Sequence, residues 1–339
     1  MIDSGFGGES AVARAEGEDD VIDINRILVP VDFSDPSKAA AHLGLSLALK
    51  FGARLMLAHV IPPSSAFAYA FPAESFAFQT EQARTAKSML RSLIPSQYHD
   101  DVDLRTIVKI GDVSRELLSI VSDDKVSVVA MGTHGRSPVE RLVLGSLTER
   151  MLRKLPVPIL TVSRHEDPAN PVITDEPIPL NHVLYATDLS DEATRGLRFA
   201  LQVARRANAR LTVLHVLRPA EAMAWGIETG FVGEELRTLR DDTLRRLVAT
   251  TFAECKFGYS ATPVLTEGTP FSEILRAADN SGADLIVLNL HGKGFVERAL
   301  LGSTAERVIR SARVPVLSIP SAAEPAVQPI EVFVGKEAV

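Results

Sequence analysis

Asn25-Arg26-Ile27-Leu28-Val29-Pro30-Val31-Asp32-Phe33-Ser34-Asp35 returns, 156 residues later, as Asn181-His182-Val183-Leu184-Tyr185-Ala186-Thr187-Asp188-Leu189-Ser190-Asp191. Working outward, Ala53-Arg54-Leu55 and His59-Val60 return at the same offset as Ala209-Arg210-Leu211 and His215-Val216. Further on the offset becomes 157. Gly111 matches Gly268, His134-Gly135 matches His291-Gly292, and Gly145-Ser146 matches Gly302-Ser303. One residue of slippage across so long a stretch reads as a tandem duplication. The period is far too long for a solenoid repeat, so each copy is a whole domain.

Within one period, strand and helix signals alternate. Ile27–Val31 is a short apolar run, which predicts a buried strand. Asp35-Pro36 predicts a helix start, with Asp35 as the cap and proline in the first turn, running to about Phe51. Leu55–Val60 predicts a strand, Glu74–Leu93 a helix, Leu104–Val108 a strand and Val113–Val121 a helix. Val126–Met131 is rich in β-branched residues and predicts the fourth strand. Val139, Val143, Leu147 and Met151 recur every fourth residue along a last helix, and Ile159–Val162 closes the copy. The expected fold is α/β: two tandem α/β/α sandwich domains, each a five-stranded parallel sheet flanked by helices. The expected boundaries are an acidic tail over 1–23, a first domain over 24–164, a proline-rich linker over 165–179, a second domain over 180–320 and a tail over 321–339.

The composition narrows the function. The chain has 339 residues, 46% of them hydrophobic, enough for two ordinary cores. Its net charge is −7, and residues 1–23 carry seven acids against the single base Arg14. The charge excess therefore belongs to a tail, and the basic footprint of a nucleic-acid binder is missing. The lone Cys255 rules out an intrachain disulfide and fits a reducing compartment. No run of residues is long and apolar enough for a membrane span, and the first residues lack a secretory signal's charged and apolar regions. Together these give a cytoplasmic expectation.

The chemistry concentrates after the fourth strand. Gly132-Thr133-His134-Gly135 is followed, after nine intervening residues, by Gly145-Ser146. Glycines let backbone N–H groups turn toward an anion with no Cβ in the way, and a serine hydroxyl adds a donor. That is a phosphate cradle. Asp32 ends the first strand, and open parallel sheets bind ligands beyond the carboxyl ends of their strands. A carboxylate beside phosphates suits Mg²⁺ or a ribose hydroxyl, which makes Asp32 the candidate metal ligand.

These residues, with Pro30-Val31-Asp32 upstream and Gly145-Ser146-Leu147-Thr148-Glu149 opening the last helix, resemble the nucleotide-binding domain of the universal stress protein family. The resemblance covers both copies. It implies strand order 3-2-1-4-5 and ATP, or a related adenine nucleotide, in the crevice. By that pattern Pro30, Val31 and Asp32 belong to the site, with Asp32 near ribose or metal, and Val60 borders the adenine. Met131, Gly132 and Gly135 line ribose and phosphates; Gly145, Ser146, Leu147 and Thr148 hold the phosphates. The family also pairs sheet edges between domains. A tandem chain is thus expected to pair Ile159–Val162 with Val316–Ile319 internally, as a pseudo-dimer, with a homodimer of chains left open.

In the second copy Asp188, Val216, Gly292, Gly302 and Ser303 match, but Asn289 stands where Gly132 stands. Its side chain is expected to fill space a ribose or phosphate would need, which leaves nucleotide binding by copy two open. Asp35 and Ser190 are read as the helix caps, leaving Asp32 and Asp188 free for a ligand. His134 and His291 are read as loop residues, His59 and His215 as structural. Arg136 and Lys293 follow the loop glycines and are read equally as phosphate contacts or solvated charges. Phe67, Tyr69, Phe71, Phe76 and Phe78, and in copy two Met223, Trp225 and Phe231, are read as packing over the sheet ahead of a partner surface.

The chain has no Gly-x4-Gly-Lys-Ser/Thr loop, no Gly-x-Ser-x-Gly elbow and no zinc-spaced Cys/His set. With no lysine fixed on the β and γ phosphates, fast phosphoryl transfer is not supported. The leading reading is an ATP-binding regulator in the stress response, acting on protein partners the sequence does not identify. The alternatives are a nucleotide-independent interaction module and a slow Mg²⁺-dependent ATPase.

Overall fold

A computed structural model describes residues 24–63, 72–133, 144–162, 178–218, 232–255, 259–292 and 301–321. The first copy runs β1 (Arg26–Pro30), α1 (Asp35–Phe51), β2 (Arg54–Ile61), α2 (Pro72–Ser92), β3 (Leu104–Ile110), α3 (Val113–Asp123), β4 (Val128–Gly132), α4 (Ser146–Lys154) and β5 (Ile159–Val162). The second runs β6 (His182–Thr187), α5 (Asp191–Ala207), β7 (Arg210–Leu217), α6 (Val232–Glu254), β8 (Ala261–Glu267), α7 (Pro270–Ser281), β9 (Leu285–Asn289), α8 (Ser303–Ser311) and β10 (Val316–Ile319). Residues 1–23, 163–177 and 322–339, which take in the expected tails and most of the linker expected over 165–179, fall outside the described residues.

Each copy has the strand order 3-2-1-4-5, all parallel, as expected. The apolar runs sit in the middle: Ile27, Leu28 and Val29 are fully buried, as are Val183, Leu184 and Tyr185. Alternate residues of each strand feed opposite faces. Ile27 and Val29 join α1 and α2 on one side, while Leu28 and Met131 join α3 and α4 on the other. The two edge strands do pair with each other. β5 and β10 run antiparallel, with Thr161 opposite Val316 and Leu160 opposite Leu317, fusing both copies into one ten-stranded sheet. The apolar layer under α1 and α5 continues across this seam. Where the linker re-enters the described residues, Ile178 N–H donates to Ser46 Oγ at 2.8 Å, pinning it to α1.

Helix ends follow local chemistry, with one correction. The α1 cap is Ser34, whose side chain accepts from Ser37 N–H; Asp35 is the first helical residue. In copy two Ser190 caps α5 as expected. α1 stops at Gly52, which takes the left-handed conformation that costs glycine little (φ +65°).

Candidate functional site

The crevice forms where strand order reverses. β1 and β4 are neighbours whose helices leave on opposite faces, so their carboxyl ends diverge and leave a hollow. In copy one this is a cavity of about 930 Å³. Pro30, Val31 and Asp32 line it from β1, Val60 from β2, and Met131 and Gly132 from β4. Gly145, Ser146, Leu147 and Thr148 line it from the start of α4. Of the copy-one residues expected at the site, only Gly135 is missing from this set, and it lies outside the described residues, with His134 and Arg136.

Gly145 caps α4 with backbone alone, its N–H donating to Thr133 C=O at 2.7 Å; no side chain caps the helix. The first-turn N–H groups of a helix have no helical carbonyl to bond. Those of Ser146, Leu147 and Thr148 sit at the cavity wall, and with the helix dipole they make a seat for an anion. Thr148 differs from the expectation of a free phosphate donor. Its Oγ1 donates to Gly132 C=O at 2.8 Å, tying α4 to the end of β4.

Asp32 is not free either. Its Oδ1 accepts from Ser34 N–H at 3.0 Å and Ser34 Oγ–H at 2.5 Å. Asp32 thus holds the serine that caps α1. The turn bends sharply at Phe33, which takes φ +65°, strained for a bulky side chain. Copy two repeats the device: Asp188 Oδ1 accepts from Ser190 N–H and Oγ–H at 3.0 and 2.6 Å, and Leu189 takes φ +57°. His59 Nδ1 stands 2.6 Å from Val31 C=O and His215 Nδ1 2.8 Å from Thr187 C=O, so both histidines brace the same turn from the next strand. Among the described residues no group of three or more His, Cys, Asp or Glu is placed to hold a metal ion. Mg²⁺ at Asp32 would need phosphate oxygens and water for its other ligands.

Gly132 is a glycine for a reason the motif did not show. A Cβ there would stand 2.6 Å from Pro36 Cβ and 2.8 Å from the Pro36 backbone, so the residue is fixed by the approach of α1. In copy two the corresponding Asn289 turns toward α5 and away from the expected ribose space. Its Nδ2 donates to Glu192 C=O at 3.0 Å, and its Oδ1 lies 3.2 Å from Tyr185 Oη, which donates to Ala193 C=O at 2.5 Å. Room for this comes from Gly196, where a Cβ would stand 2.0 Å from Asn289 Oδ1. Burial raises the Tyr185 phenol well above its ordinary range. The other matched residues keep their places: Val216 is buried near the end of β7, Asp188 Oδ2 lies beside Gly292, and Gly302 and Ser303 open α8 without a side-chain cap. Lys293, Met223, Trp225 and Phe231 lie outside the described residues, as do Phe67, Tyr69 and Phe71; Phe76 and Phe78 fall within α2.

The sequence reading missed part of the wall. Val113 and Leu117 of α3, and Glu81, Ala86 and Met89 of α2, also line the cavity. For α3 a signal was available: Val113, Leu117 and Ile120 form its apolar stripe.

The model of the universal stress protein family matches residues 23–163 and again 179–320. A universal stress protein of Mycolicibacterium smegmatis is 27% identical over 302 residues, covering 86% of this chain and 96% of the relative. One from Methanocaldococcus jannaschii is 32% identical over 144 residues, 40% of this chain and 80% of its own length. The crystal structure of a universal stress protein from Archaeoglobus fulgidus shares the fold, with TM-score 0.59 and 23% identity over 88% of this chain and 99% of that one.

Proposed function

Since the chain belongs to the universal stress protein family, with two of its domains in tandem, we propose that copy one binds an adenine nucleotide of the ATP class and acts as a nucleotide-dependent regulator. One observation carries this reading. A single cavity at the carboxyl ends of β1 and β4 joins an apolar wall (Val60, Met131, Leu117) to an uncapped helix N-terminus. An apolar slot for a flat base next to an anion seat is the complement of a nucleotide. Asp32, just past the end of β1, is the residue for ribose or a phosphate-bound Mg²⁺. We read the site as one for holding a ligand, with His59 engaged by a backbone carbonyl. For the ligand to regulate, it must bind one conformation better than another.

The test is release of ligand from freshly purified protein by denaturation, with nucleotide counted per chain, beside Ser146→Asp. Ser146 is exposed at the first helical position, where an acid suits the helix dipole but repels phosphate. Bound nucleotide in the wild type that falls at least tenfold in Ser146→Asp is the expected result. A wild type that carries none and ignores added Mg-ATP would sink the reading in favour of an interaction module.

A further inference from the structure

The cavity extends past what the phosphate cradle and base slot use. Among the described residues, the helix N-terminus that suits an anion stands at one end, where β4 meets α4. At the other end it continues over the tips of β1 and β2 to α2. The wall there is Phe33, Ile61, Pro62, Ala86 and Met89, with Glu81, Gln82 and Thr85 at the rim. Met89 stays 44% exposed on this wall. A single exposed methionine means little. An apolar wall of five residues continuous with a ligand site means more, because its contact with water is a cost that a fitting ligand removes.

Copy two supplies the control. Leu90 and Leu247 are fully buried and hold the same place on α2 and α6. By that register Ala86 corresponds to Thr243, Thr85 to Asp242, and Met89 to Arg246. Arg246 reaches the turn after β6 and donates through Nη2 to Leu189 C=O at 2.8 Å. Leu189 is the counterpart of Phe33. The two copies share Asp, His and Val at matching points of the crevice, and Leu189 and Leu217 keep the places of Phe33 and Ile61 apolar, but on the helix copy two has Thr243 and Arg246 where copy one has Ala86 and Met89.

Nucleotide chemistry says what faces that wall. The sugar leaves adenine from its five-membered ring, and the exocyclic amine sits on the far edge of the six-membered ring. With phosphates at α4 and the base beside Val60, that amine edge points toward α2. We infer that copy one prefers adenine nucleotides whose exocyclic amine carries an apolar substituent, with Met89, Ala86 and Phe33 as the residues that set this specificity. The inference rests on the nucleotide reading above.

The experiment is titration calorimetry on the full chain with two probes, ATP and N6-benzyl-ATP. The expected result is at least about tenfold tighter binding of the benzyl compound, the scale set by burying one small ring. Met89→Arg, which installs the copy-two residue at an exposed position, should bring the ratio of the two affinities to about one. Met89→Leu, which keeps the apolar surface, should preserve the ratio. Thermal melts of both variants check that they fold. ATP binding with no preference in the wild type overturns this inference alone, as does a preference that survives Met89→Arg. If neither probe binds, the nucleotide reading falls and takes this inference with it.

Discussion

The floor of the crevice is built twice and solved differently. In copy one Gly132 lies against Pro36; in copy two Asn289 stands in its place beside Tyr185 and Gly196, whose copy-one counterparts are Val29 and Ala40. The first solution brings α1 so close to β4 that Pro36 would touch any Cβ on Gly132. The second fills the gap with two polar side chains and empties a helix position to admit them. Close packing tolerates either arrangement, but not half of each, because a core conserves volume locally. A glycine lost from a motif is therefore not by itself a lost site.

The largest effect should come from breaking the second solution. Gly196→Ala puts a methyl group onto Asn289 Oδ1 and near Tyr185 Oη, and overpacking of this kind costs about 1–3 kcal/mol. We expect the upper end of that range in urea unfolding. Adding Asn289→Gly and Tyr185→Val, which completes the copy-one pattern, should recover most of it. If the losses simply add, the three positions are not one unit.

Gly132→Ala comes next, at about 2 kcal/mol, because the neighbour that must yield is backbone rather than a side-chain tip. It should lower stability and nucleotide content together, whereas Ser146→Asp lowers content alone. A Gly132→Ala protein of unchanged stability would remove Pro36 as the reason for the glycine.

The smallest effect belongs to Tyr185→Phe, about 1 kcal/mol for the hydrogen bond to Ala193. It also has a pH signature. Burial favours the neutral phenol, so the folded pKa lies above the ordinary value of 10.0. The stability this gives is complete below that pH and is lost as pH rises beyond it. Tyr185→Phe should unfold less steeply than wild type at high pH. Tyr259, also raised by burial, keeps part of the slope in both proteins. Equal alkaline slopes would show that the Tyr185 phenol does not report on folding.

Most of the architecture was legible. The repeat offset located both copies, apolar runs located the five strands of copy one, which the repeat carries over to copy two, and the family resemblance supplied their order. The α1 cap shows how far the repeat could have been pushed: Ser190 was read correctly as a cap, and the same offset leads straight to Ser34. What stayed hidden depends on distance across the fold. Gly132 meets Pro36 across 96 positions, and Asn289 meets Gly196 across 93. No periodicity within one element registers such a contact. The α2 wall was hidden for another reason: Met89 lies on a largely exposed helix, where a lone apolar residue carries no pattern.

The antiparallel join of β5 to β10 has a consequence for inheritance. In a dimer of identical chains every substitution at the seam occurs twice, and the surface must remain complementary to itself. Here the halves share one chain, so each side can drift alone and dilution cannot part them. The drift is visible: Thr161 Oγ1 donates across the seam to Val316 C=O, while its counterpart Ser318, equally buried, has no partner for its hydroxyl among the described residues. Freed from symmetry, the two halves carry different side chains at matching points of one continuous sheet.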